Sequence, residues 1–182
     1  MSDFEPTLMT GELGFKREKF FELMQPHILI LDSKLFETFA GADSVMGACE
    51  ILIEPSPSGK LIKTASIFIN EDDFRIGDKD YTDLIPITVR HEMVEMWVHA
   101  KNGWSLYPTP QWISEDKRQV FGHTLARREE YRFAFEIGKA QRNVQFIKEW
   151  AKRLPLEERV LFIDDNESAF YEIRNRYIHL RK

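Results

Sequence analysis

Between Val89 and Gly103 the chain reads VRHEMVEMWVHAKNG, which sets His91, Glu92, Glu95 and His99 among valine, methionine and tryptophan. An imidazole or carboxylate in apolar surroundings is costly unless it is paired or bound to something. On a helix, measured from His91, Glu95 lies about 40° round, Thr88 about 60°, His99 about 80° and Glu92 about 100°. Leu84, Ile87, Val94 and Val98 border this wedge on one side, Ile85, Val89 and Met96 on the other, and Arg90 and Lys101 mark a solvated edge. A solvated face would be broader and richer in Lys and Arg, and a plain core face would hold no Glu. The pattern predicts a central helix whose polar sector faces a lined cavity. There, His and Glu side chains one turn apart can bind a divalent metal.

A second helical stretch, GHTLARREEYRFAFEIG (122–138), carries His123 and Glu130 seven residues apart and so nearly superposed on one face. Ala126, Arg127, Ala134 and Ile137 share that face, and its alanines would let the helix approach the first one closely. His91, Glu95, His123 and Glu130 then form a two-His, two-carboxylate set that suits one metal ion, or two. Glu129 is the alternative to Glu130. Without a metal, Glu92 and Glu95 would instead pair with Arg127, Arg128 or Lys101, and His91 would be a hydrogen-bonded core histidine. His99, two turns beyond His91, is expected to support the site through hydrogen bonds. His27 and His179 are read as structural or surface residues. Trp97, Trp104, Tyr107 and Trp112 are read as aromatic core or pocket lining, with 102–112 as a cleft lid in the other reading.

HEMVE (His91 to Glu95) resembles the HExxH motif of the zincins, with Glu95 at the second ligand position. That resemblance implies that His91 and Glu95 are metal ligands, that Glu92 is the general base for a metal-bound water, and that zinc is the metal. Carboxylate oxygen binds zinc at about 2.0 to 2.2 Å, but Glu in place of His makes the site more anionic and its ligand set harder. The surrounding order is also similar to minimal zincins. A strand candidate, KTASIFIN (63–70), precedes the helix, and a later helix is available for the third ligand that gluzincins use. EEYRFAFE, read from Glu129, resembles the E-A-N-x-F-A-x-E stretch of the small ImmA/IrrE-type gluzincins, whose first Glu binds zinc. Glu129, Phe133, Ala134 and Glu136 match, while the pattern's Ala and Asn are absent. The resemblance spans about residues 48–140. It implies a metal-dependent hydrolase, a peptidase relative acting on a peptide or protein. The alternatives are a non-catalytic metal-binding or interaction domain on the same scaffold, and a helical protein with an internal ion-pair network.

The elements that must position these residues follow from the rest of the chain. With 182 residues, 43% of them hydrophobic and 13% aromatic, the chain suits one well-packed domain over 1–182. A net charge of -5 argues against binding to nucleic acid or anionic membranes. The start, MSDFEPTLMTGELG, lacks the pattern of a signal peptide, and no apolar run approaches a membrane span. The single cysteine, Cys49, excludes an intramolecular disulfide and a Cys-rich zinc cluster, leaving metal binding to His and carboxylate. A soluble, cytoplasmic protein is expected. Residues 11–25 have helical periodicity ending at Pro26, HILIL (27–31) is a strand or a helix entry, and SKLFETFAG is helical. Residues 48–70 predict a hairpin around PSPSGK, followed by a short strand at 74–76. A helix from Thr82 or Asp83 to Gly103 comes next, then a long helix from Ser114 with a bend near Gly138, and a last helix over 164–180 capped by Asp164 or Asp165. The predicted class is α+β, zincin-like: a β-hairpin or small sheet packed on a central active-site helix, with further helices C-terminal to it.

Overall fold

The computed structural model describes residues 25–40, 45–56, 59–102 and 117–180. Strand β1 (His27–Leu31) leads into α1 (Ser33–Ala40) and then into strands β2 (Gly47–Ser56) and β3 (Gly59–Asn70). A 3-10 turn and a small ribbon, β4 (Arg75–Ile76) with β5 (Lys79–Asp80), connect to the site helix α2 (Ile85–Asn102). After it come α3 (Lys117–Glu136), α4 (Ala140–Trp150) and α5 (Leu156–Leu180). The architecture is α+β, as expected. The expected helix at 11–25, a helix start at Ser114, and Trp104, Tyr107 and Trp112 lie outside the described residues.

β2 and β3 form the predicted antiparallel hairpin, in register from Gly47 opposite Ile69 to Ser56 opposite Gly59, with an irregularity at Leu52/Ile53. HILIL proves to be a strand: β1 runs parallel to β3, with Ile28 opposite Ile67, and the sheet order is β1-β3-β2. As the middle strand, β3 must be apolar on both faces. Ala65, Ile67 and Ile69 join the main core with Ile87 and Met96 of α2, while Phe68 packs with Phe36 and Ala40 of α1.

α2 lies against β2 and β3 on one side and along α3 on the other. Leu84, Ile87, Val94, Met96, Val98 and Ala100 are all buried around it, so it is central, as its apolar circumference requires. Each large side chain so buried stabilises the fold by roughly 1.5–3 kcal/mol relative to exposure. Its entry differs from expectation. Neither Thr82 nor Asp83 caps it; Asp80 accepts hydrogen bonds from the Thr82 backbone N–H (2.8 Å) and hydroxyl (2.7 Å) just ahead of it. A 3-10 turn, Thr82–Leu84, then opens into the helix.

Two later expectations are corrected. α3 stops at Glu136 instead of bending through Gly138. Gly138 takes a φ of +72°, and the Lys139 N–H closes back onto the Ala134 carbonyl at 2.8 Å, a glycine helix stop after which α4 starts afresh. The last helix begins at Leu156, not 164. Pro155 precedes it and Glu157 and Glu158 occupy its first turn, where acidic groups favour a helix start, while Asp164 and Asp165 lie exposed within it. No helix among the described residues is long and apolar enough to cross a membrane.

Candidate metal centre

All four ionisable groups of the wedge, His91, Glu92, Glu95 and His99, are buried, at 5–9% exposure. The sector therefore faces inward, and α3 brings His123 to meet it. Glu95 Oε1 lies 2.7 Å from His123 Nδ1 and 3.3 Å from His91 Nε2, and the two imidazole nitrogens are 3.3 Å apart. The Glu95 oxygen is buried, yet the angles of these contacts give it no hydrogen bond. Three ligands about 2.0 to 2.1 Å from one tetrahedral ion sit about 3.3 Å from each other. Two edges of this triangle have that length and the third is shorter, so the residues fit a metal ion without rearrangement of the helices. The His123 side chain is 53% exposed, which leaves one side of the triangle open to solvent.

The electrostatics favour a cation at this point. Burial would lower the His91 pKa, but its hydrogen bond to Glu130 and the close Glu95 carboxylate outweigh that and raise it to about 10. Burial would raise Glu95, yet the adjacent His123 and His91 rings hold its carboxyl well below the usual range. Glu92 moves the other way, pushed up to about 7 by burial first and then by the charge of Glu95.

Glu130, expected among the ligands, sits on the opposite edge of the His91 ring. Its Oε2 accepts from His91 Nδ1 at 2.9 Å and its Oε1 accepts from Asn143 Nδ2 at 2.7 Å. With Nδ1 donating to Glu130, Nε2 is left facing Glu95 and His123, an arrangement that suits a metal-binding histidine. Glu130 thus orients the His91 ring and does not belong to the converging group. Glu129 is turned away altogether, held by Arg90 at 2.7 Å and Arg132 at 2.5 Å. Arg90, expected at a solvated edge, is in fact drawn onto this buried carboxylate. The cations that a metal-free network would need make their contacts away from Glu92 and Glu95: Arg127 bonds Asp165, Arg128 bonds Glu172, and Lys101 lies over the Trp97 ring.

Glu92 faces β2. A Cβ built on Gly47 would stand 2.9 Å from its Oε1, so the strand can approach this closely only because residue 47 has no side chain. The buried Cys49 thiol hydrogen-bonds to Glu92, and donor atoms of Cys49, Glu92 and Glu95 lie within 4.8 Å of one another. Burial, then the two carboxylates, push the thiol well above its ordinary range, so Cys49 keeps its proton and serves as a donor. The sequence marks Cys49 only as a lone thiol and gives no site role to Gly47 or Asn143. Their signal is weak: alternation along β2 puts 47, 49 and 51 on one face, but only packing shows that this face meets α2. A cavity of about 570 Å³, its open mouth included, is lined by His91, Glu92 and His123 together with Ile147, Trp150 and Phe162.

Comparison of the chain with protein-family models, with curated proteins and with solved structures finds no match.

Proposed function

We propose that this protein is a metal-dependent hydrolase of zincin-like plan, acting on peptide or protein bonds, with His91, Glu95 and His123 as ligands of a divalent ion and Glu92 as general base. The observation that carries the reading is the convergence of two imidazole nitrogens and a buried carboxylate oxygen without a hydrogen bond, all within 3.3 Å. Two His and one Glu is a ligand inventory of catalytic zinc sites, which favours zinc. In a gluzincin the order is His, His, then Glu from the later helix. Glu95 stands at the second position of this chain and His123 at the third, so the inventory is the same with two positions exchanged. That exchange removes the objection that Glu95 makes the site too anionic for zinc.

The ion, when bound, polarises a carbonyl and acidifies a water molecule. The protein's own residues do the rest. Glu130 holds the His91 ring in the ligating tautomer, and Asn143 holds Glu130. Glu92, at the cavity wall but outside the ligand triangle, is free to take a proton from the attacking water and pass it to the leaving amine. The Cys49 thiol donates a hydrogen bond to Glu92.

Elemental analysis of untagged protein, with a peptide-cleavage panel, tests this reading. Wild type should carry about one metal ion per chain, and Glu95→Ala and His123→Ala should lose it. Glu92→Gln should keep the ion and slow cleavage by about 10²-fold or more. Unchanged metal content in Glu95→Ala would remove the ligand assignment. A wild type that holds metal but cleaves nothing would make the domain a binding module.

A further inference from the structure

Arg127 follows His123 by one turn of α3 and lines the same cavity as His91 and Glu92. Its side chain is only 15% exposed. A guanidinium offers five N–H donors, and burying it without matching acceptors is costly. Among the described residues it makes one hydrogen bond, Nη1 to Asp165 Oδ2 at 3.2 Å, and that carboxylate is itself 75% exposed. Its other contact is the Phe162 ring, 5.4 Å from the guanidinium carbon to the ring centroid. Glu130, one turn further along α3, bonds His91 and Asn143 instead. A mostly buried cation with one long bond to a solvated carboxylate therefore lines the cavity beside the converging ligands, and it also borders a second hollow with Asp165. The cavity beside the ligands has an apolar, aromatic lining in Ile147, Trp150 and Phe162.

We infer that Arg127 binds a carboxylate of the substrate, so that the compound cleaved is a short peptide or acyl amino acid bearing a free carboxylate beside an aliphatic or aromatic side chain. The inference rests on the hydrolase reading of the metal centre and adds to it the class of substrate. An Arg fork matches a carboxylate in two parallel hydrogen bonds, which fixes its orientation as well as its charge. The incoming carboxylate displaces only the weak bond to Asp165, and the apolar lining takes the neighbouring side chain. The carboxylate is either the C-terminus of the substrate or an acidic side chain, and both present the same chemistry to Arg127.

Three non-cleavable hydroxamates built on a phenylalanine tail separate these cases: one with a free α-carboxylate, its amide, and that amide with a glutamate side chain added. Calorimetric titration into the zinc-loaded full chain should show one acid bound about tenfold or more tightly than the neutral amide. The acid preferred identifies the source of the carboxylate. R127Q should bind all three alike, with metal content unchanged. D165N, which removes the competing carboxylate, should tighten the preferred acid. Equal binding of acid and amide by wild type, or a preference that survives in R127Q, overturns the inference. The same comparison with 3-phenylpropionate and 3-phenylpropanamide on metal-stripped protein reads Arg127 apart from the metal. An acid preference there that R127Q abolishes upholds the anion site even if the metal assignment fails, and no preference there counts against it.

Discussion

Gly47 does its work by having no side chain. A Cβ at that position would lie 2.9 Å from Glu92 Oε1, 3.0 Å from the Thr88 methyl and 3.3 Å from Ile69 Cδ1. Of these neighbours, the end of Glu92 is the one that can swing aside at little cost in packing. Glu92 is also the group proposed to move the proton. Gly47→Ala should therefore leave metal content and melting temperature close to wild type while lowering the cleavage rate about tenfold or more, because small displacements of a general base are expensive in rate. Steady-state kinetics beside elemental analysis check this. A loss of metal or of fold would mean that the strain falls on the helix and not on Glu92.

At the scale of elements, the site depends on how α2 and α3 are set against each other. They run antiparallel: Asp83 meets the start of α4, His91 meets Glu130, Glu95 meets His123, and Val98 lies against Gly122. Arg90 with Glu129 forms a buried rung beside His91 with Glu130, and together they hold the register that brings the ligands level. Asp83 ties the entry of α2 to Arg142 at 2.9 Å and Lys139 at 3.0 Å. Burial would raise the Asp83 pKa, but these bonds outweigh it and hold the carboxyl below its usual value. A carboxylate whose pKa is depressed by folding adds stability above its unfolded pKa, and that stability is lost as pH falls through the folded value. Asp83→Asn should thus lower the urea midpoint at pH 7 by about 0.2–0.5 M, since exposed ion pairs are screened. The gap should close as the pH drops below about 4. Urea melts of both chains at pH 7 and pH 3 measure it, and a gap that persists in acid would assign the effect to something other than this ion pair.

For the molecule as a whole, the proposed ligands join successive helices, His91 and Glu95 from α2 and His123 from α3, while β2 closes the opposite side of α2 through Gly47 and Cys49. An ion held there would clamp the central layer of the fold, so binding and stability are linked. Chelation should lower the melting temperature of wild type by about 5–10 °C, with recovery on return of zinc. His123→Ala should melt at the same temperature with and without chelator. A wild type indifferent to chelation would detach the two helices' stability from any metal.

Much of this was legible locally. Two Ile- and Leu-rich runs flanking the turn-forming PSPSGK specify the hairpin, and the narrow polar sector of an otherwise apolar helix specifies that His91, Glu92 and Glu95 are inside. Those readings need only local composition and a period of 3.6 residues. Helix ends were less legible, because Asp80 and Pro155 act through single bonds or backbone geometry that leave little trace in a periodic pattern. The third member of the site was beyond local reading. His123 and Glu130 share a face of α3, but seven residues separate them by about 10 Å along the axis. Which of them stands level with Glu95 depends on the antiparallel register of two helices, and that register is decided by distant contacts such as Arg90 with Glu129. Tertiary packing therefore put His123 beside Glu95, gave Glu130 to the far edge of the His91 ring, and brought a strand with no side chain at residue 47 against Glu92.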